Sequence, residues 1–219
     1  MTEQEIKIGI SLRIMDAVNY EEKRDALSHD WPPFFEKLGF IPIFIPNSLN
    51  NPEAFLDSVE IRGIILSGGD NIGEYPDRDK TEIKLLDYGI NHGIPVFGVC
   101  RGMQVINQFF GGTMSKNPES SHVGKHHEIN ITNAIISEKL GSKLIEVNSY
   151  HNNIIKESNL GKDLNPFAKS VTDDTVEGFF HTQHKILGVM WHPERDPNQN
   201  NELILKQTFH NKDFWNAIT

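Results

Sequence analysis

The sequence predicts an α/β fold: a central, mostly parallel sheet with helices on both faces and an antiparallel extension. From residue 6 to Cys100, short apolar segments alternate with amphipathic ones, as in successive β-α-β units. In the second half, short segments of alternating polarity follow one another, which is typical of antiparallel strands. No repeat, low-complexity tract or linker interrupts the chain, so we expect one domain over residues 1–219.

The first half supplies the parallel part of the sheet. An alternating segment at residues 6–12 predicts the first strand, and a polar loop over residues 16–30 leads into a helix that continues to Leu38. Gly39 ends this helix as a C-cap, and prolines in the next strand place that strand near a sheet edge. The further predicted elements are a strand over residues 41–46, a short helix over 51–56, a strand over 62–67, a helix over 82–91 capped by Thr81, and a strand over 94–99.

The second half begins with a polar segment, residues 113–127, that is typical of a loop. We expect the strands that follow it to be antiparallel additions to the sheet. The predicted strands are residues 127–132, 144–147, 169–171, 176–180 and 186–190, and a final helix is predicted over residues 202–209.

Composition and charge limit the function classes. A hydrophobic fraction of 37% and a charged fraction of 23% predict a globular protein with a substantial core. The net charge of −9 argues against nucleic acid or an anionic membrane as a partner. The single cysteine leaves no internal disulfide and suits a reducing compartment. The polar N-terminus is unlike a signal peptide and no apolar run could span a membrane, so we expect a cytoplasmic protein.

The cysteine lies in a segment that is typical of a nucleophile elbow. An apolar strand precedes Cys100, Gly98 and Gly102 bracket it, and residues 103–110 have helical character. Such a turn exposes the sulfur and directs the positive end of the helix dipole at a thiolate. The alternative is a small buried hydrophobic side chain, which is the commoner role of a lone cysteine.

Two other segments favour the catalytic interpretation. An apolar strand ends at His192, and Glu194 follows two positions later. These two residues would provide a base and a carboxylate that orients it, so that Cys100, His192 and Glu194 form a catalytic triad. A second strand leads into the paired glycines of residues 67–69, where backbone N–H groups could stabilise an oxyanion. We expect the N–H groups of Gly69 and Arg101 to be the two donors, and favour Gly69 over Gly68.

Taken together, these motifs resemble the class I glutamine amidotransferase superfamily. The resemblance is carried by G-x-C-R-G-x-Q at residues 98–104, W-H-P-E at 191–194 and S-G-G at 67–69, and it extends from about residue 6 to about residue 210. F-G-G-T at residues 110–113 and N-S-Y-H at 148–151 are most similar to the hydrolase branch, the γ-glutamyl-γ-aminobutyrate hydrolase or peptidase C26 type. This resemblance implies a flavodoxin-like three-layer sandwich.

The resemblance also implies a reaction and a set of substrate contacts. The enzyme would cleave a γ-glutamyl amide through a γ-glutamyl thioester, without a cofactor, and release glutamate and an amine. Gln104 and the segment Asn148, Ser149, Tyr150 and His151 would hold the amino and carboxylate groups of the glutamyl moiety. From the sequence alone, Gln104 could equally lie on a helix surface, and Tyr150 could belong to the core.

Arg13 is a further candidate for substrate binding. It follows the first strand at the carboxyl edge of the sheet, where open α/β sheets bind ligands. The alternative is a solvated surface arginine.

The amine portion of the substrate is harder to predict. Residues 10–13 and 25–31 depart from the γ-glutamyl-γ-aminobutyrate hydrolases and are similar to the capsule-cluster members that hydrolyse γ-glutamyl-CDP-amidate in phosphoramidate synthesis. A nucleotide-linked substrate predicts a cationic or aromatic lining, with Arg13, Arg24 and Arg78 as candidates and solvated surface as the alternative for each.

Other functions stay open at this point. A γ-glutamyl-γ-aminobutyrate hydrolase, a glutaminase subunit that delivers ammonia to a separate synthetase, and a non-catalytic binding protein share the predicted fold. The complete triad argues against the last, and the C-R-G and N-S-Y-H motifs favour a hydrolase acting on a small molecule. The sequence is compatible with a homodimer without specifying one.

Three histidines lie close together in the sequence, but they do not form a recognisable metal site. His122, His126 and His127 match no standard zinc spacing, and no cysteine or carboxylate completes the set. We therefore predict no bound metal and place these residues in a solvated loop or at the rim of the substrate site.

Overall fold

A computed structural model describes residues 6–116 and 123–218 of the chain. Strands and helices alternate from the beginning of the described region to the nucleophile segment. The strands there are β1 (Ile6–Ser11), β2 (Arg13–Asp16), β3 (Lys23–Ala26), β4 (Phe40–Ile45), β5 (Gly63–Leu66) and β6 (Val96–Val99). The helices between them are α1 (Trp31–Leu38), α2 (Pro52–Val59) and α3 (Pro76–His92).

Strands dominate the second part of the described chain. After α4 (Arg101–Phe109), the strands are β7 (Ser115–Lys116), β8 (Val123–Ile131), β9 (Leu144–Tyr150), β10 (Asn153–Ile154), β11 (Leu164–Ser170), β12 (Val176–His181) and β13 (Ile186–Val189). The helices are α5 (Ala134–Leu140), α6 (Gln199–His210) and α7 (Lys212–Ile218), and short 3₁₀ turns occur at Glu157–Asn159 and Pro193–Arg195.

Nine of the described strands form one mixed sheet in the order β4-β1-β5-β6-β13-β12-β11-β8-β9. The pairings from β4 to β13 are parallel, and those from β13 to β9 are antiparallel. The predicted fold class is therefore confirmed, including the edge position of the proline-containing strand β4. The prediction for β13 is wrong in one respect: this strand is parallel to β6 and antiparallel only to β12.

Helices cover the sheet on two sides because successive strand residues point to opposite faces. Ile64 and Leu66 of β5 pack with α2, α3 and α4, whereas Ile65 between them belongs to the other hydrophobic layer. That second layer contains the buried faces of α1, α5, α6 and α7. The three-layer arrangement follows directly from this alternation.

Three local predictions are corrected by the structure. Residues 16–30, expected as a polar loop that becomes the start of a helix, instead contain the second strand of the antiparallel hairpin β2–β3, and α1 begins only at Trp31. Helix α3 begins at Pro76 with Tyr75 at its N-cap, so Thr81 lies inside the helix and is not its cap. Part of the segment expected as a loop at residues 113–127 is strand β7 and the start of β8. Helices α5 and α7 were not predicted.

The topology brings the functional motifs to one edge. The carboxyl ends of β1, β5, β6 and β13 are adjacent, and they are followed by Arg13, Ser67, Cys100 and His192, respectively. Across residues 6–116 and 123–218, no helix is both long enough and apolar enough to cross a membrane.

Candidate active site

Cys100 occupies a strained turn between β6 and α4. Its backbone has φ 50° and ψ −102°, a conformation that costs a non-glycine residue about 1–3 kcal/mol. The Cys100 N–H donates to the Val189 carbonyl on the neighbouring strand at 2.8 Å, and the Cys100 carbonyl accepts from the Gln104 N–H at 3.1 Å. The residue is only 7% exposed, so the expectation that the turn exposes the sulfur is wrong. The surrounding strand and helix thus hold the sulfur at the carboxyl edge of the sheet.

The glycines beside the cysteine allow α4 to pack closely on the sheet. A methyl group at Gly102 would lie 2.0 Å from the Leu66 carbonyl oxygen, and one at Gly98 would lie 2.7 Å from the Gly102 carbonyl carbon. Neither space admits a side chain without movement of backbone. This explains the G-x-C-x-G spacing through packing as well as through the turn.

His192 connects the cysteine to a carboxylate. Its Nδ1 lies 2.7 Å from Glu194 Oε1, and its ring also hydrogen-bonds with Cys100. Burial lowers the pKa of His192, but the hydrogen bonds to Cys100 and Glu194 and their negative charges outweigh this and raise it to about 9. The imidazole is therefore cationic at neutral pH and places a positive charge beside the sulfur of Cys100.

Asn148 and Tyr150 hold His192 in place. The Asn148 side chain accepts from the His192 N–H at 2.9 Å and donates to the His192 carbonyl at 2.8 Å. The Tyr150 ring packs edge-on against the imidazole, with centroids 5.8 Å apart, and Arg195 lies 4.5 Å from the same tyrosine ring. Tyr150 is 44% exposed and so lies over the site, outside the core.

The paired-glycine loop lies on the other side of His192. A methyl group at Gly68 would lie 2.6 Å from His192 Cε1, and Gly69 has φ +116°, which favours glycine. Arg101 is the first residue of α4, so its N–H has no acceptor within the helix. The two expected oxyanion donors thus lie on segments that flank Cys100.

A buried ionic network lies beneath this loop, and sequence reasoning missed it. Arg78 and Glu82, one turn apart on α3, are fully buried and paired at 3.0 Å. Glu82 also bonds Arg101 and accepts from Ser11 at 2.8 Å. The i, i+4 spacing of Arg78 and Glu82 was a usable signal, but the predicted helix began too late to include Arg78.

The remaining residues expected at the glutamyl end lie close to one another. Gln104 is buried, so the surface alternative is wrong. Its Oε1 accepts from Asn153 at 3.3 Å and its Nε2 lies 3.6 Å from the Met190 sulfur. His151 is also buried, with Nδ1 2.9 Å from the Asn153 carbonyl, and Ser149 is fully buried on β9.

The three arginines proposed for a nucleotide have different surroundings. Arg13 lines a narrow cavity of about 30 Å³ beside His192, together with Gly68, Gly69 and Arg195. Arg78 is fully buried, so the prediction that it lines the substrate site is wrong. Arg24 lies on the exposed hairpin and bonds Glu22 and Tyr20.

The histidines considered as metal ligands do not converge. His126 and His127 are consecutive on β8 and therefore point to opposite faces, and His122 lies outside the described residues. Within the described part of the chain, no three His, Cys, Asp or Glu side chains are placed to hold a metal ion.

Known proteins are similar to this chain over most of its length. The peptidase C26 family model matches residues 7–194. The γ-glutamyl-CDP-amidate hydrolase of Campylobacter jejuni is 34% identical over 211 residues, which cover 92% of this chain and 96% of that protein. One subunit of the glutamine-hydrolysing GMP synthase of Thermoplasma acidophilum is 33% identical over 168 residues, covering 74% and 76% of the two chains.

A similar fold has been solved by crystallography. A structure from Thermoplasma acidophilum, solved as that of a proposed GMP synthase subunit, superposes with a TM-score of 0.73 at 24% identity. The match covers 99% of this chain and 98% of that one.

Proposed function

The chain belongs to the peptidase C26 family, and on that premise we propose that this amide hydrolase of the glutamine amidotransferase type cleaves γ-glutamyl amides, with Cys100 as nucleophile. The observation that carries the proposal is the hydrogen-bonded series Cys100–His192–Glu194, in which the cysteine occupies a strained elbow. A structural cysteine needs neither the strain nor the partners.

The proposed reaction has two covalent steps. The Cys100 thiolate attacks the γ-carbonyl carbon, a C–S bond forms, and the carbonyl π electrons move to oxygen. The tetrahedral intermediate collapses, the C–N bond breaks, and His192 donates a proton to the departing amine. Water then attacks the thioester, His192 accepts its proton, and the C–S bond breaks to release glutamate. Glu194 stabilises the imidazolium in both steps.

Backbone donors would stabilise the oxyanion in both steps. Gly69 and the first N–H of α4, at Arg101, flank the nucleophile and can face the same oxygen. Removing one such donor from a comparable site costs about 3–4 kcal/mol of transition-state stabilisation.

The substrate has a glutamyl end and a leaving-group end, and we assign different residues to each. We assign the glutamyl amino and carboxylate groups to Gln104 and to the segment Ser149–His151, near the neighbouring Asn153. Both ends of the Asn148 side-chain amide bond the His192 backbone, so its contribution to the glutamyl site is to hold this segment and the histidine together.

For the leaving group, the favoured substrate is γ-glutamyl-CDP-amidate, as used in capsule phosphoramidate synthesis. Two observations support it. The named Campylobacter relative aligns over almost all of both chains. In addition, Arg13 and Arg195 lie on the His192 side of the site, where they could contact phosphate oxygens. Arg195 was not singled out from the sequence, although it directly follows the W-H-P-E motif.

The test is glutamate release by the purified chain without any added partner. We would compare γ-glutamyl-CDP-amidate, γ-glutamyl-γ-aminobutyrate and glutamine, and expect the first to have the highest kcat/KM. Cys100→Ala should reduce the rate by about 10⁴-fold or more. No release from any of the three by a protein that folds correctly would contradict the proposal.

The leaving-group assignment has its own variant. Arg195→Ala should raise KM for γ-glutamyl-CDP-amidate about 10-fold, as expected for one charged hydrogen bond, and leave γ-glutamyl-γ-aminobutyrate within twofold. Equal effects on both substrates would remove the support for a phosphate contact.

A glutaminase subunit is the second candidate, favoured by the similarity to a subunit of a GMP synthase. It predicts weak activity confined to glutamine, which increases when a cell extract supplies the missing synthetase. Rapid hydrolysis of a γ-glutamyl conjugate by the chain alone would exclude it.

A further inference from the structure

We propose that Arg78 is a positioning residue that fixes the loop carrying Gly69 against the nucleophile elbow. The inference rests on the proposed function, since it concerns the geometry of the oxyanion hole in that reaction. It assigns a role to a side chain that lies behind the site, on α3, and that does not contact the substrate.

The guanidinium of Arg78 holds the loop through its backbone. Its Nη2 donates to the Ser67 carbonyl at 2.9 Å, to the Gly68 carbonyl at 2.9 Å and to Ser67 Oγ at 3.2 Å. Its Nη1 donates to Asp70 at 3.1 Å. Contacts on residues 67, 68 and 70 therefore fix the chain on both sides of Gly69, whose N–H is the expected donor.

The Nε side of the same guanidinium is linked, through Glu82, to the residue that follows Cys100. Arg78 Nε donates to Glu82 Oε1 at 3.0 Å, and the other oxygen of Glu82 accepts from Arg101. Arg101 also bonds Asp79 and is the residue that directly follows Cys100. The Arg78–Glu82 pair thus links the two segments that carry the expected oxyanion donors.

Only arginine offers these contacts together. Five N–H donors in a planar fork reach two carbonyls, a hydroxyl and two carboxylates, whereas a lysine ammonium has three donors at one point. Arg78 and Glu82 are fully buried. Because buried ion pairs often contribute little net stability, this fully buried pair is better explained by the geometry that it specifies.

The expected effect is on the transition state. A carbonyl oxygen becomes an oxyanion only as the tetrahedral intermediate forms, so misplaced donors lower kcat while ground-state binding is retained. The hydrogen bonds of Arg78 go to residues 67, 68, 70 and 82, and not to Cys100 or His192, so the reactivity of the thiolate itself should be unchanged.

The test uses the full chain and the variant Arg78→Lys. We would measure kcat and KM for glutamate release, and the rates at which two reagents alkylate Cys100. Iodoacetamide reacts by displacement of iodide and needs no oxyanion hole. A chloromethyl ketone analogue of glutamine places its carbonyl oxygen in the hole before chloride leaves. The matched control is Arg62→Lys, an exposed arginine near the opposite end of β5.

Arg78→Lys should lower kcat and chloromethyl ketone labelling about 10- to 100-fold, with KM and iodoacetamide labelling within about threefold of wild type, while the control behaves as wild type. If Arg78→Lys does not fold, Ser67→Ala removes the Ser67 Oγ acceptor of Arg78 together with the hydrogen bonds of that hydroxyl to Ser11, and keeps the backbone contacts of Arg78. It should lower kcat about 3- to 10-fold with the same selectivity.

Unchanged kcat in the variant that folds would overturn this inference alone. A parallel loss of iodoacetamide labelling would also overturn it, because Arg78 would then act on the nucleophile or on the fold as a whole. A wild type that reacts with iodoacetamide, but neither releases glutamate nor reacts with the ketone, would contradict the proposed function and this inference together.

Discussion

At the scale of single residues, Cys100 and Glu194 together extend the pH range in which His192 is charged. Burial lowers the pKa of His192, and the bonds to Cys100 and Glu194 raise it to about 9. Glu194→Gln keeps an acceptor for Nδ1 but removes the negative charge. We expect the alkaline limb of the kcat/KM profile, near pH 9 in the wild type, to move down by about one pH unit or more. Rates measured between pH 5 and 10 would show this.

Glu202→Gln is the matched control, because Glu202 forms a surface pair with Lys37. An alkaline limb that stays in place in Glu194→Gln would show that Glu194 does not set the histidine charge. The same pKa has a consequence for stability. Because the folded pKa exceeds the unfolded value, the contribution of His192 to stability is fully present below about pH 6.5 and is lost as pH rises through about 9.

The sequence indicated which side chains would lie together in some cases and not in others. Cys100, His192 and Glu194 lie in short segments whose residue types are those of a nucleophile, a base and an orienting carboxylate. The structure brings the three side chains together. The position of Arg78 could not be predicted in the same way. Its burial depends on where α3 begins and on which loop the helix faces, and both are tertiary properties.

At the scale of secondary-structure elements, the packing of α4 on the sheet depends on Gly102. Its missing side chain leaves room for the Leu66 carbonyl, which a methyl group would approach to 2.0 Å. We expect Gly102→Ala to destabilise the protein by about 3 kcal/mol or more, as in other overpacked cores. Urea denaturation monitored by circular dichroism would measure the change.

Gly39→Ala provides the comparison. Gly39 ends α1 with φ +75°, and among the described residues no atom lies within 4 Å of where a methyl group would be. Only the left-handed backbone opposes this substitution, at a cost of about 1–2 kcal/mol. Equal losses in the two variants would contradict the packing explanation for Gly102.

The turn between β12 and β13 contains a buried histidine that should make the fold sensitive to acid. His181 Nδ1 accepts from the N–H groups of Gln183 and His184, at 3.0 and 3.2 Å, so the neutral ring fits the turn. Burial, assisted by the charge of His184 and opposed by Asp163, lowers the pKa of His181 to about 4. Because the unfolded chain binds this proton first, stability should fall as pH decreases from about 6.5 to about 4.

His181→Asn keeps an acceptor near the Nδ1 position and cannot be protonated in this range. We expect the variant to lose less stability between pH 6.5 and pH 4 than the wild type, by about 1 kcal/mol or more, since one pKa unit corresponds to about 1.4 kcal/mol. Urea midpoints at both pH values would measure it. Identical losses would show that carboxylates elsewhere account for the acid sensitivity.

Elements were predictable where local polarity determines them. The strands and helices from β4 onward through β6 follow the apolar pattern, although the start of α3 and its cap did not. The hairpin β2–β3 was missed because Lys23, Arg24 and Asp25 are polar and exposed, and their pairing with β2 creates the strand. The parallel pairing of β13 with β6 was also missed. The pattern of polar and apolar residues along a strand does not show whether its neighbour runs parallel or antiparallel.

At the scale of the whole molecule, the parallel and antiparallel parts are joined by the pairing of β6 with β13. This pairing also brings Cys100 beside His192, which comes much later in the chain. The site therefore exists only when both parts of the sheet are assembled. Activity and global folding should be coupled for the same reason.

We propose accordingly that the chain unfolds as one cooperative unit. Trp31, Trp191 and Trp215 are all buried in the hydrophobic layer formed with α1, α6 and α7, so tryptophan emission reports on that layer. Far-ultraviolet circular dichroism reports on all helices and strands, and iodoacetamide labelling of Cys100 reports on the site. The three transitions in urea should coincide. If the site opened at a lower urea concentration than the tryptophan layer, the prediction of one cooperative unit would be wrong. The pairing of β6 with β13 would then break before the rest of the fold unfolds.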